Sequence, residues 1–332
     1  MRGPAFDTPM GARDGRGPAY AWWYLDALSD PQPDGSAYAL TLIAFIGSVF
    51  SPYYAWARRR HGEAVQPTAH CALNIALYHR PPGRADYKRL WAMTERGEPQ
   101  LRRSAEQLQI GPSRLAWQDD GTLHIEVNEW TVPWPRRLRG RIRLEPQLLP
   151  GQAFALDTAG RHLWQPISPV ARVELDFQAP RGLRWRGDAY LDANWGSRPL
   201  EQDFHSWQWS RAALCAHAGC RVLYEVQPLS GERRALALDI DAQGRIAQRP
   251  LPPDCPLPGT AWGLARSTRA SQAPDLLATL ESGPFYSRSL LRDPLDGSMA
   301  VHESLSLQRF RQPWVQALLP FRMPRRAKGI RS

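Results

Sequence analysis

Short runs of strand-forming residues alternate with turn residues along most of the chain. Such runs fall at 21–28 (AWWYLDAL), 37–45 (AYALTLIAF), 70–79 (HCALNIALYH), 89–96, 122–130 and 137–146. After a break at QPISPVA (165–171) they resume at 171–178, 183–192, 204–212, 221–228, 233–241 and 300–310. Strand-plus-turn spacing of this kind predicts an all-β sandwich or barrel. In RLRGRIRL (137–144) polar and apolar residues alternate, as in a strand with one wet face. Helices are expected only at 53–60, 273–282 and around 312–321. The break suggests two β domains, 1–165 and 166–332, the second carrying a basic tail.

Composition sharpens this picture. Of 332 residues, 43% are hydrophobic, enough for a substantial core. The 31 prolines and 25 glycines favour turns over long helices. Fourteen tryptophans supply large apolar surface with one polar handle each, which suits an aromatic-lined cavity.

The net charge of +10 clusters at 57–64, 134–143 and the tail 321–332. Such patches attract nucleic acid or anionic lipid headgroups, or form a plain solvated surface. No nucleic-acid motif accompanies them, so that partner is not expected. The longest apolar run, 38–50, is shorter than a membrane span, so any membrane association is expected to be peripheral. The first residues lack the apolar core of a signal peptide. Cys71, Cys215, Cys220 and Cys255 lack zinc spacing and read as reduced thiols of a cytosolic-side protein. No phosphate loop, nucleophile elbow or zinc-protease motif occurs, and scattered histidines such as His205 and His217 show no ligand spacing. No cofactor and no metal is therefore expected.

Three clusters could carry chemistry. In HLWQP (162–166), His162 and Trp164 share one face of an extended chain. In GDAYLDANWGS (187–197), Tyr190 and Asp192 do the same, followed by Asn194 and Trp195. Asp192 reads either as an Asx turn ending the strand or as a buried proton donor. In FHSWQWSR (204–211), strict alternation puts His205, Trp207 and Trp209 on one face, which is either barrel core or ligand wall. An aromatic pocket with one acid, one His and one Tyr suits protonation of an alkene. Ring faces stabilise the cation. A carboxyl in an apolar site stays protonated. A neighbouring His orients it or handles the proton of water.

The stretches 21–30, 40–60, 70–78 and 91–97 together resemble the carotenoid 1,2-hydratases, also called hydroxyneurosporene synthases. HLWQPISP (162–169) and 187–211 continue the resemblance; the chain after about residue 240 adds little to it. The resemblance implies two lipocalin-like β-barrel domains. It implies cofactor-independent addition of water across the terminal C1=C2 bond of neurosporene or lycopene. It puts the catalytic pairs on His162, Trp164, Tyr190 and Asp192, with Trp207, His205 and Trp195 expected against the substrate. Ala193 stands where the wider family often has a basic residue or histidine, so tuning of the acid is left to His162 or to burial. The partners expected are the carotenoid and an anionic membrane surface, with no protein partner. The expected location is the cytoplasmic side of the inner, photosynthetic membrane. A non-enzymatic carrier of a polyene or other lipid would explain the aromatics equally well. A carbohydrate enzyme would need a second carboxylate, for which Glu225 and Asp203 are the candidates.

Overall fold

The structure, a computed structural model, describes residues 2–10, 18–214 and 219–327. Cys215, His217 and the last five residues of the basic tail lie outside the described residues.

Four long strands open the fold: β1 (Tyr20–Ser29), β2 (Ala37–Ile46), β3 (Cys71–Arg80) and β4 (Lys88–Arg96). Later come β5 (Leu123–Trp130), β6 (Arg137–Pro146), β7 (His162–Ala179) and β8 (Leu183–Gly196). They belong to one 13-stranded sheet ordered β4-β3-β2-β1-β8-β7-β6-β5, continued by short strands over 101–117. A second, seven-stranded sheet contains β9 (Phe204–Leu214), β10 (Gly219–Pro228), β11 (Arg234–Ile240), β12 (Asp275–Ser282), β13 (Tyr286–Arg292) and β14 (Met299–Ser306).

The burial pattern explains the packing. In β6, outward arginines alternate strictly with buried Leu138, Gly140, Ile142 and Leu144, as the sequence predicts for a strand with one wet face. β1 and β3 are buried on both faces along most of their length. The large sheet curls so that β4 approaches β5. Inside the curl, Trp23, Leu25, Ile125, Ile142, Leu175 and Leu191 form one core. A second core lies between the two sheets and includes Trp22, Tyr24, Trp164, Tyr190, Trp207 and Tyr224. β1 therefore sends alternate side chains into two different cores, as the two-residue period of a strand dictates.

The expected break over 165–171 lies within β7, where the pairing with β8 shifts register between Pro166 and Ala171. The chain passes from the first sheet to the second at residues 197–203. Helix α1 (Pro52–His61) forms over the expected 53–60. Ser51 caps it by accepting from the amides of Tyr53 and Tyr54 at 3.1 and 3.3 Å, and its last turn is basic. Short helices α2 (Leu307–Phe310) and α3 (Pro313–Leu318) follow β14, close to the expected 312–321. The helix expected over 273–282 is instead β12, an edge strand paired with β13. Cross-strand pairing there overrides the helical propensity of its leucines.

Candidate active site

Tyr190, Asp192 and Asn194 alternate along β8 with Leu191, Ala193 and Trp195. The first set faces the second sheet; Leu191 and Ala193 belong to the core inside the curl, and Trp195 packs against it. Trp195, expected against a substrate, thus lies on the far side of the sheet from Asp192. Asn194 stays on the near face, where its amide donates to the hydroxyl of Tyr224 at 3.1 Å.

Asp192 is pinned from two sides. On β7, Trp164 Nε1 donates to Asp192 Oδ2 at 2.8 Å. The Tyr190 hydroxyl donates to the same oxygen at 3.0 Å. The other oxygen, Oδ1, is buried and has no partner. Burial pushes the carboxyl well above the usual carboxylate range. The indole and phenol donors pull it down, and the charges of Glu303 and Asp26 push it up again. Burial thus favours the neutral form of a carboxyl that has one oxygen held and the other without a partner. The Asx-turn alternative for Asp192 does not apply, because it sits inside the strand.

The structure does not bring His162 to this acid. Its Nε2 meets Asp203 Oδ2 at 2.8 Å and its Nδ1 meets the Tyr20 hydroxyl at 2.9 Å. Burial lowers its pKa against the opposing bond and charge of Asp203. A neutral ring meets both partners when Nε2–H donates to Asp203 and Nδ1 accepts from Tyr20. The close approach of Tyr20 and His162 needs a residue without a side chain beside them. A Cβ at Gly196 would fall 2.7 Å from the Tyr20 oxygen and 2.8 Å from His162 Nδ1. His162 therefore ties β7 to β1 and to the crossover into the second sheet. Tuning of Asp192 falls to burial, Trp164 and Tyr190.

His205 is also displaced from its expected place. Phe204 pairs with Pro228 but Ser206 with Gln227, so His205 is the extra residue of a bulge. That residue inverts the parity of the strand. Phe204, not His205, joins Trp207 and Trp209 in the core between the sheets. Among the expected substrate residues, Trp207 alone lines the cavity found there.

That cavity, of about 140 Å³, is walled by Trp22, Phe45, Phe50, Trp91, Trp207 and other apolar groups. Its polar members include Asn74, Glu281, Tyr286, Arg288 and Glu303. Arg288 is paired with Glu303 through Nε at 3.0 Å and lies 5.4 Å above the Tyr24 ring. One layer of rings separates the cavity from Asp192. Tyr24 lines the cavity and packs 6.4 Å from Tyr190; Trp207 lines it and packs 6.4 Å from Tyr224. Trp209 wedges 5.3 Å from both Tyr24 and Tyr190. Beneath, Arg211 of β9 pairs with Asp26 of β1 through Nε at 2.8 Å, and Tyr24 donates to the same carboxylate at 3.1 Å. Among the described residues, no group of His, Cys, Asp and Glu is arranged to hold a metal ion.

Sequence reasoning missed Tyr24, Glu303 and Arg288. A Tyr-x-Asp pair like Tyr190 and Asp192 recurs at Tyr24 and Asp26, and that repeat was a readable signal. Glu303 and Arg288 lie in ordinary-looking strands whose pairing alone brings them to the cavity.

Residues 42–331 match the family described as carotenoid hydratase CrtC. The acyclic carotenoid 1,2-hydratase of Thiocapsa roseopersicina is 50% identical, covering 98% of this chain and 76% of that protein. The enzyme of the same description from Rubrivivax gelatinosus is 43% identical with the same coverage. That of Rhodobacter capsulatus is 39% identical over 86% of this chain and 98% of its own. Two solved structures share the fold. An AttH-like protein from Nitrosomonas europaea has a TM-score of 0.59 at 15% identity, covering 86% of this chain and 92% of that one. Kievitone hydratase from Nectria haematococca has a TM-score of 0.53 at 9% identity, covering 92% and 98%.

Proposed function

This chain belongs to the carotenoid hydratase family, and on that premise we propose that it adds water across the terminal C1=C2 bond of an acyclic carotenoid such as neurosporene or lycopene. The product is the 1-hydroxy tertiary alcohol. One observation carries the chemistry: a fully buried Asp192 with one oxygen held by Trp164 and Tyr190 and the other unpartnered, where burial favours the neutral acid.

In the proposed reaction Asp192 delivers its proton to C2, and positive charge develops at the tertiary C1. The faces of Tyr24, Trp164, Tyr190 and Trp207 stabilise that charge, at ~2 kcal/mol for a desolvated contact. Water attacks C1, and the proton it releases returns to the Asp192 carboxylate, so the acid is restored and the sum is addition of one water. No cofactor takes part in this scheme. General acid catalysis of this kind contributes roughly a hundred- to ten-thousand-fold. Tyr24 and Trp207 shift to let the end of the polyene reach Asp192.

The cavity of about 140 Å³ is smaller than the roughly 300–1,000 Å³ that encloses a whole drug-sized ligand. It takes an end unit, and the rest of the polyene leaves through the mouth. The proposed location is the cytoplasmic face of the inner, photosynthetic membrane, with the substrate dissolved in the bilayer. A simple carrier has no use for two donors converging on a buried carboxyl, so the enzymatic reading is favoured. Expression in cells that accumulate lycopene tests it. Pigments that gain the mass of one water per end support it, and unchanged pigments overturn it.

A further inference from the structure

The segment that closes the cavity on the side of α3 has an inverted surface. Between residues 313 and 321 the exposed positions are Pro313, Trp314, Ala317, Leu318 and Phe321, without a charge or polar group among them. Trp314, Ala317, Leu318 and Phe321 follow helical spacing, so they form one outward stripe where a surface helix normally carries polar residues. The opposite face holds buried Val315, Gln316 and Leu319. Phe321 is 77% exposed and Trp314 46%. Trp262 extends the patch by stacking on Trp314 with ring centres 6.4 Å apart.

The segment that carries this stripe also walls the cavity. Leu319 and Met323, on the same segment, line the cavity together with Pro284 and Phe285. Arg309 donates to the carbonyls of Trp262 and Pro284 at 2.7 and 3.1 Å, fixing the patch to the cavity wall. Cations flank it. Along the chain, Arg309 and Arg311 precede the stripe and Arg322, Arg325 and Arg326 follow it, with no acidic residue between 304 and 327. α1 also exposes Trp56.

We propose that the surface formed by Trp262, Trp314, Leu318 and Phe321, with the neighbouring Arg311 and Arg326, docks on an anionic lipid bilayer and brings the cavity wall carried by the same segment up to it. An uncharged aromatic stripe edged by arginines is complementary to a hydrocarbon boundary beneath anionic headgroups. The inference rests on the functional reading above for what enters the cavity, but not for the docking itself.

Flotation with phosphatidylglycerol–phosphatidylcholine vesicles tests it on the full chain. Wild type is expected to float with these vesicles and to be released by high salt. Leu318→Glu with Phe321→Glu is expected to weaken binding at least about tenfold, and Phe321→Glu alone, at the most exposed ring of the stripe, to weaken it detectably. The same variants should hydrate lycopene held in vesicles at least about tenfold more slowly, yet detergent-dispersed lycopene at the wild-type rate. Unchanged flotation of the double variant overturns the proposal. So does an equal loss on both substrate forms, or a dimer that Phe321→Glu splits without changing flotation. A wild type that floats but hydrates neither form defeats the functional reading and leaves the docking surface standing.

Discussion

Trp164 and Asp192, on neighbouring strands, meet through a single 2.8 Å hydrogen bond from indole nitrogen to one carboxyl oxygen, while the other oxygen of Asp192 has no protein partner. The indole fixes the carboxyl while leaving its other oxygen unpartnered. Asp192→Asn keeps an oxygen to accept from Trp164 and Tyr190 but removes the proton donor. Hydration is expected to fall by roughly 10²–10⁴-fold, with carotenoid binding, read from its absorption spectrum, retained. An active Asn variant would remove Asp192 from the acid role.

The same substitution has a stability signature. The folded pKa of Asp192 is raised, so its protonated form stabilises the fold below the ordinary carboxylate range. That contribution is lost as pH rises through the folded value. Thermal unfolding of Asp192→Asn should therefore improve relative to wild type on going from mildly acidic to alkaline buffer. A constant difference across pH would contradict the buried neutral acid.

Trp164→Phe removes one of the two donors that lower the pKa of Asp192. The alkaline limb of the pH–rate profile is expected to move to higher pH, because losing a donor to the carboxylate disfavours its charged form. The plateau rate should fall, because a weaker acid protonates an alkene less readily. A limb that stays in place or moves down would mean that Trp164 does not tune the acid.

His162→Ala should behave differently. It leaves the buried Tyr20 hydroxyl without its partner, at a cost of roughly 1–3 kcal/mol in urea unfolding. Activity should drop through loosened positioning of β7, with the alkaline limb unmoved. A displaced limb would show that His162 communicates with Asp192 electrostatically.

Asp26→Ala strands the guanidinium of Arg211 between the sheets. A loss of about 3–5 kcal/mol is expected on urea unfolding, and Asp26→Leu with Arg211→Met should recover much of it. A mild effect of the single change would mean that water reaches this ion pair.

Much of this arrangement could be read from residue order. The alternation in 137–144 dictated a strand with one wet face, and the two-residue period placed Tyr190 with Asp192 and His162 with Trp164. Parity also argues against Trp195, three positions from Asp192 and so on the opposite face. His205 was illegible because one inserted residue inverts the alternation, and nothing in FHSWQWSR marks the bulge. The bond from Trp164 to Asp192 depends on β7–β8 register, and the nearness of Glu303 depends on a second sheet formed by residues far later in the chain. The partner of His162 was equally hidden: Tyr20 lies 142 residues away and meets it because β1 and β7 flank β8.

The double commitment of β1 limits how this enzyme can be remodelled. Trp22, Tyr24 and Asp26 face the second sheet and the proposed site, while Trp23, Leu25 and Ala27 fill the interior of the curl. A library that varies this strand disturbs the scaffold at every second position and the ring cage at the others. Substrate range is better sought from the opposite wall, at Phe285, Tyr286 and the segment around Leu319. There, changes in cavity shape leave the barrel that carries the acid intact.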